Sequence, residues 1–276
     1  MDVRTVSDSP LQVTPLTARI GAEIGGVDLT RPLSNHQVSA IHDALIDHQV
    51  IFFRDQPMDF DAHERFGRYF GSLYDHVDVF GEAYLAKHGI PGHPEIVKIH
   101  ADETSTGVAA EQWHTDMSCR AEPPMGTILH LHTLPPVGGD TLFSSMYAAY
   151  EALSPRMKVY LEGLTAVHDG ARAFRSFMGD RTYPATAHPV VRTHPVTGRK
   201  LLFVNEEFTS HINELPRDEG AATLAFLVDH CKNPDFQVRF RWQPDSIAFW
   251  DNRCTQHHAV WDYFPHVRSG FRVVIQ

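Results

Sequence analysis

Cysteine is scarce: only Cys119, Cys231 and Cys254 occur in 276 residues. Their odd number and wide spacing argue against a disulfide framework or a zinc knuckle and suit a reducing compartment. No run of about 18 apolar residues is present, which excludes a membrane-spanning helix. The start Met1-Asp2-Val3-Arg4-Thr5 lacks the basic opening and apolar stretch of a secretory signal. The expected location is therefore cytoplasmic. Positive charge is also short, with 24 Lys and Arg against 34 Asp and Glu and a formal net charge of −10. No basic run stands out, so nucleic acid and anionic membrane surfaces are excluded as expected partners. Internal repeats, low-complexity tracts and a Gly-rich loop between strand and helix are absent too, and the last of these removes support for a nucleotide cofactor. What remains is 42% hydrophobic and 11% aromatic, ample for one large core or two small ones. The 19 histidines are scattered, so a metal site has to be picked out by spacing.

Short strands with turns at Gly21, Gly25 and Gly26 are predicted over 11–33. Ser34 and Gln37 have the spacing of a capping box, opening a helix with Val38, Ile41, Ala44 and Leu45 on one face. Val50-Ile51-Phe52-Phe53 reads as a buried strand, and a second helix is predicted from Asp59, burying Phe66, Tyr69 and Phe70. Residues 75–112 read as irregular, with several Gly and Pro and one short strand over 95–100, a composition that suits a lid. Strands dominate beyond it. Residues 128–132 and 236–243 alternate, 189–192 and 201–204 flank a turn at Thr197-Gly198, and 246–250 and 271–275 supply two more. Helices interrupt at about 146–164 and 218–231. The expectation is a mainly β sandwich or jelly roll with flanking helices.

The segment that carries chemistry is Trp113-His114-Thr115-Asp116. On a strand, residues two apart point to one face, so His114 and Asp116 can chelate a single cation. His-x-Asp alone is a weak signal. Two histidines and one carboxylate on one face leave half a coordination sphere open, which suits iron(II) oxygen chemistry. The second histidine is sought in Trp250-Asp251-Asn252-Arg253-Cys254-Thr255-Gln256-His257-His258, with Arg268 eleven residues after His257 as a fork for a carboxylate.

These segments, with Gly138-Gly139-Asp140-Thr141-Leu142, Arg268 and Arg272, resemble the taurine dioxygenase (TauD/TfdA) family of iron(II)- and 2-oxoglutarate-dependent dioxygenases. The likeness runs from about Pro15 to the C-terminus, through Gly21-Ala22-Glu23-Ile24, residues 188–195 and Phe203-Val204-Asn205-Glu206. It implies one catalytic domain over 1–276, a cupin-like double-stranded β-helix with a lid at about 75–112. It also implies Fe(II), 2-oxoglutarate and O2. By position, His114, Asp116 and His257 match the iron ligands, and Thr141 and Arg268 match the residues holding the distal carboxylate of 2-oxoglutarate. His76 and Arg272 match the grip on the substrate's sulfonate, Trp250 lines the metal pocket, and Phe174 packs against the substrate. A homo-oligomer, dimer or tetramer, is implied as well.

The implied substrate is a small organic anion: a sulfonate first, with alkyl sulfate esters and aryloxyalkanoate carboxylates as alternatives. Positions that give the taurine pocket a tyrosine and an asparagine fall here on Val79 and Ala110. Both changes remove polar partners for an amine and predict tolerance of an aliphatic or aromatic tail. Plainer readings stand beside each assignment. His258 could replace His257, Thr141 could be a turn residue, and both arginines could form surface ion pairs. His130-Leu131-His132 has ligand spacing but no following acid and is read as hydrogen-bonded strand, while His188 and His194 are read as supporting or structural. Rival functions are a zinc metallohydrolase and a non-catalytic jelly-roll binding protein.

Overall fold

The computed structural model describes residues 11–76, 80–108 and 110–276. Its largest layer is an eight-stranded sheet. The order is β1 (Gln12–Pro15), β2 (Ala22–Gly25), β3 (Val50–Phe53), β14 (Ser246–Asp251), β6 (Gly126–Thr133), β16 (Arg268–Ile275), β5 (His93–Ala101) and β4 (Gly89–Ile90). All its pairings are antiparallel except β2 with β3. A smaller sheet, β13 (Gln237–Phe240), β7 (Thr141–Ser145) and β15 (Thr255–Ala259), packs against its inner face. A further sheet joins β12 (Thr209–Ile212), β8 (Thr165–Asp169) and β9 (Ala185–Pro189), beside the hairpin β10 (Val191–Thr193) and β11 (Lys200–Leu202). The result is a jelly roll, as the strand-rich second half predicted.

Two helices cover the outer face of the large sheet. In α1 (Asn35–His48), the Ser34 hydroxyl accepts from the Gln37 N–H while the Gln37 side chain accepts from the Ser34 N–H, the expected capping box. In α2 (Phe60–Arg68), the Asp59 carboxylate caps the Ala62 N–H. Alternate residues of the central strands then face two different cores. Ile51, Phe53, Ile128, Ile247, Phe249 and Val273 point outward onto Ile41, Leu45 and Phe66. Val50, Phe52, Leu129, Leu131, Ala248 and Trp250 point inward onto Phe143, Val238 and Phe240. Phe52 and Phe240 stack with ring centroids 3.8 Å apart. Burying side chains of this size stabilises the fold by roughly 1.5–3 kcal/mol each. Double coverage also explains why 126–131 are buried throughout, where the sequence predicted alternation.

Several local expectations are corrected. The 75–112 segment is not mainly irregular. It contains α3 (Glu82–His88), and the strand predicted over 95–100 is the longer, nine-residue β5, which pairs with β16 inside the large sheet. Strand β16 begins at Arg268, not at 271. The 146–164 helix is two helices, α4 (Met146–Ala152) and α5 (Pro155–Leu161), broken before Pro155, and α6 (Gly170–Met178) is additional. The last helix, α7 (Arg217–Cys231), lies where expected.

Gly270 fixes how β16 meets β6. The register slips between Ser269 and Gly270, and a β-carbon at 270 would collide with the carbonyl oxygen of His130. Only glycine lets the two backbones approach this closely, and the even spacing of Arg268 and Arg272 along β16 sets both on the inner face. No helix among the described residues is long and apolar enough to cross a membrane.

Candidate active site

The inner faces become polar at one end of the sandwich. There His257 on β15 forms an isolated antiparallel bridge with His114: the His114 N–H donates to the His257 carbonyl at 3.1 Å, and the reverse bond is 2.8 Å. Beyond this bridge the chain turns instead of continuing as a strand, with Met117 at φ 52°. Asp116 therefore meets His114 through a turn and not by strand alternation, which corrects the geometric premise but not the pairing. Asp116 Oδ1 lies 3.6 Å from His114 Nε2. One ligand-type atom from each of His114, Asp116 and His257 falls within 4.8 Å of the others, and all three residues are buried.

The surroundings orient each group. His114 Nδ1 donates to the Gln112 carbonyl at 2.8 Å, which fixes the tautomer and turns Nε2 toward Asp116. Asp116 Oδ2 accepts from the Thr127 hydroxyl at 2.7 Å. Thr127 in turn accepts from Asn252 Nδ2 at 2.9 Å, and the Asn252 carbonyl accepts from the Trp250 indole at 2.9 Å. Trp250 is buried, its ring 4.7 Å from that of His257. Burial alone would raise the Asp116 carboxyl, but Arg272, then His257 and His114, hold it well below the usual carboxylate range. Burial opposes charge on His114 as well, yet Glu207 and Asp116 push it up to about 9; burial and the neighbouring His114 keep His257 far below the ordinary imidazole value. His257 Nδ1 has no hydrogen-bond partner. A buried carboxylate and two imidazoles, one with an orphaned nitrogen, fit a divalent metal ion.

Thr141 and Arg268 also meet. Arg268 Nη2 donates to Thr141 Oγ1 at 3.2 Å and Nε to the Gly139 carbonyl at 2.9 Å. Thr141 pairs with Ala259 across β7 and β15, two residues along from the Phe143–His257 pair, so it shares the face of His257. Arg268 is 5% exposed and, among the described residues, has no carboxylate within salt-bridge distance. Burial pulls its pKa below the ordinary value, the mark of a charge short of a counter-ion.

Arg272 Nη1 reaches Asp116 Oδ1 at 3.2 Å, while its Nε is buried with no partner. His76 is 1% exposed, and neither ring nitrogen makes a well-formed hydrogen bond. Burial, then the nearby Arg272, lowers its pKa to about 3, so the ring is neutral. Aromatic rings continue outward from here. Phe80 lies 5.9 Å from His76 and 4.6 Å from Tyr84, Phe174 contacts Phe80 and Phe208, and Phe208 approaches His114 at 6.4 Å. Val79 lies outside the described residues. Ala110 has φ 71°, and its carbonyl accepts from the Ala259 N–H.

The alternatives separate cleanly. His258 turns away, stacked on Trp113 and donating to the Glu111 carbonyl. His130 is buried against Asp245 and His132 is exposed, so the His130-Leu131-His132 pair does not converge on one point. His188 hydrogen-bonds the carbonyls of Ser118 and Arg120. A second buried group, His194, Asp251 and Cys254, has ligand-like spacing. There the His194 Nδ1 accepts from the Val196 and Thr197 N–H groups and Nε2 donates to Asp251, which Arg253 also clamps. Both nitrogens are committed, so this is a structural hydrogen-bonded cluster in which Arg253 pairs with Asp251. Three residues escaped the sequence reading: Thr127, Asn252 and Glu207. The parity of Thr127 with the inward-facing Leu129 and Leu131 was the available signal for the first.

Comparison with known proteins agrees with this geometry. The taurine catabolism dioxygenase TauD, TfdA family matches residues 12–274. An alkylsulfatase of Acinetobacter baylyi is 34% identical, the alignment covering 96% of this chain and 84% of that protein. An alpha-ketoglutarate-dependent sulfonate dioxygenase of Saccharomyces cerevisiae is 33% identical over 96% of this chain and 67% of its own. The crystal structure of a taurine dioxygenase from Burkholderia xenovorans superposes with a TM-score of 0.82 at 37% identity, covering 96% of this chain and 89% of that one. The chain belongs to the TauD/TfdA family, and with that membership it is a 2-oxoglutarate-dependent dioxygenase that uses iron(II), 2-oxoglutarate and dioxygen.

Proposed function

We propose that this enzyme hydroxylates a small organic anion with an apolar tail, a sulfonate foremost, at an iron(II) centre held by His114, Asp116 and His257. The carrying observation is the pair of buried donors beside those ligands that lack a well-formed hydrogen bond, the His76 ring and Arg272 Nε. Unmet buried donors cost about 1–3 kcal/mol each, and an anionic head group would satisfy them. Taurine, longer alkyl or aryl sulfonates and alkyl sulfate esters all carry such a head. Aryloxyalkanoate carboxylates are the less favoured fit. The aromatic wall of Phe80, Tyr84, Phe174 and Phe208 suits a tail more apolar than an amine.

Thr141 and Arg268 hold the distal carboxylate of 2-oxoglutarate, supplying the counter-ion that the buried guanidinium otherwise lacks. Bound at the triad, iron(II) supplies the activation of dioxygen that couples loss of carbon dioxide from 2-oxoglutarate, leaving succinate, to insertion of oxygen into a substrate C–H bond. Where that carbon bears a heteroatom group, the hydroxylated product can fall apart. The chain's part is to orient. Thr127 and Arg272 fix the Asp116 carboxylate, His76 donates to the head group, and the aromatic rings exclude water. A zinc hydrolase would have no use for Arg268. We read 1–276 as one catalytic unit, with a lid in the 75–112 region, in the cytoplasm and as a dimer or tetramer.

The test is succinate formation from 2-oxoglutarate with iron(II), ascorbate and a panel of sulfonates, alkyl sulfates and aryloxyacids. Stimulation by a sulfonate or sulfate ester, abolished in Asp116→Ala, is expected. Stimulation by none, with zinc retained through purification, would overturn the reading.

A further inference from the structure

Glu207 has no role in the sequence motifs, yet its carboxylate Oε2 lies 3.2 Å from Nδ1 of His114, the face of the ring turned away from Asp116. Its main chain is anchored on the same segment: the Glu206 and Glu207 N–H groups both approach the Trp113 carbonyl, and Arg172 holds the carbonyls of 206 and 207. The side chain is one-fifth exposed and makes no other short ion pair among the described residues. The Gln112 carbonyl accepts from Nδ1–H at 2.8 Å, so the Nδ1 proton faces a carbonyl and a carboxylate together.

We propose that Glu207 is a positioning residue for the metal centre. With the Gln112 carbonyl it clamps Nδ1–H of His114 and makes Nε2 a more basic, better aimed donor to the ion. The physics is that of carboxylate–histidine–metal arrangements. Negative charge behind an imidazole favours its electron donation, and a second acceptor restricts ring rotation; loss of such a partner weakens metal binding by roughly ten- to a hundredfold. Glu207 touches neither substrate nor co-substrate in this role. The inference rests on His114 being a metal ligand.

The experiment measures Mn(II) affinity by calorimetric titration under anaerobic conditions for the wild type, Glu207→Gln, Glu207→Ala and Asp116→Ala, and records the visible bands of the Co(II)-loaded proteins. Glu207→Ala is expected to bind Mn(II) at least tenfold more weakly. Glu207→Gln, which keeps an acceptor but not the charge, should fall between it and the wild type. The Co(II) bands should shift in both, while the metal-free proteins melt within a few degrees of one another. Glu207→Gln is isosteric and carries the test alone should the alanine variant not fold. Affinities within twofold of the wild type in both folded variants, or unmoved Co(II) bands, overturn the proposal. Failure of the underlying site reading looks different, because wild type and Asp116→Ala would then bind Mn(II) alike.

Discussion

Replacing Arg268 with methionine should separate ligand binding from folding, with opposite signs. The guanidinium is buried, donates to Gly139 and Thr141, and has no carboxylate within salt-bridge distance among the described residues. Methionine fills similar space without charge. Two hydrogen bonds are lost, about 1 kcal/mol each. Against that, a desolvated charge is removed, and its effective penalty is several kcal/mol. The metal-free, ligand-free protein should thus be unchanged in stability or more stable by up to ~2 kcal/mol. Binding of 2-oxoglutarate should suffer badly, since deleting one partner of a buried ion pair costs about 3–5 kcal/mol. At 1.36 kcal/mol per tenfold, that is a loss of affinity on the order of a hundred- to a few-thousand-fold. Urea unfolding of the apoprotein and calorimetric titration of 2-oxoglutarate into the Mn(II)-loaded protein give the two readouts. A variant that loses several kcal/mol of stability while binding 2-oxoglutarate normally would refute the reasoning, and would recast Arg268 as a structural ion.

Thr127→Val removes the hydroxyl between Asp116 and Asn252 without changing shape. The bond to a charged acceptor is worth about 1.5–3 kcal/mol, divided between apoprotein stability and metal affinity. Mn(II) binding should weaken by roughly tenfold, and binding equal to the wild type would sink the idea that this chain of bonds aims the carboxylate. Acid stability tests the buried histidines. Burial, then His130, lowers His63 to about 3, and burial, then His188, lowers His168 to about 3. Both rings stay neutral in the fold while the unfolded chain protonates below its ordinary pKa near 6.5. Stability contributed by their neutrality is therefore complete above that value and lost as pH falls toward 3, by about 1.4 kcal/mol per pH unit for each ring. His63→Leu should remove one such contribution, read as a shallower fall in urea-derived stability between pH 6.5 and 5. An identical slope would mean that His63 does not hold its proton back.

Legibility in the sequence followed the range of the physics. Ser34 with Gln37 is a local device, and it announced α1 directly. His114, Asp116, His257 and Arg268 could be singled out because residue type and order survive whatever the backbone does between them. The strand argument for His114 and Asp116 failed because a turn, not a strand, joins them, and turn geometry at Met117 leaves no mark in residue type. The strand predicted over 95–100 was real, but its place inside the large sheet was not legible, since its start His93-Pro94-Glu95 is edge-like and polar and its partner β16 lies some 170 residues on. Glu207 was invisible for the same reason: its significance lies in a 3.2 Å approach to a residue 93 positions earlier.

The polar end of the sandwich is built from both walls. Arg268, Arg272 and Thr127 stand on the large sheet, and His257 and Thr141 on the small one. Right behind them Phe52, Phe143 and Phe240 lock the walls together, with Phe143 directly across β7 and β15 from His257. On the proposed reading, metal and co-substrate add rivets between the same two layers. Linkage makes the melting temperature climb with ligand concentration, by about 2.7 kcal/mol of added stability at a hundred times the dissociation constant. Starved of iron and 2-oxoglutarate, the enzyme should lose that increment and melt at a lower temperature.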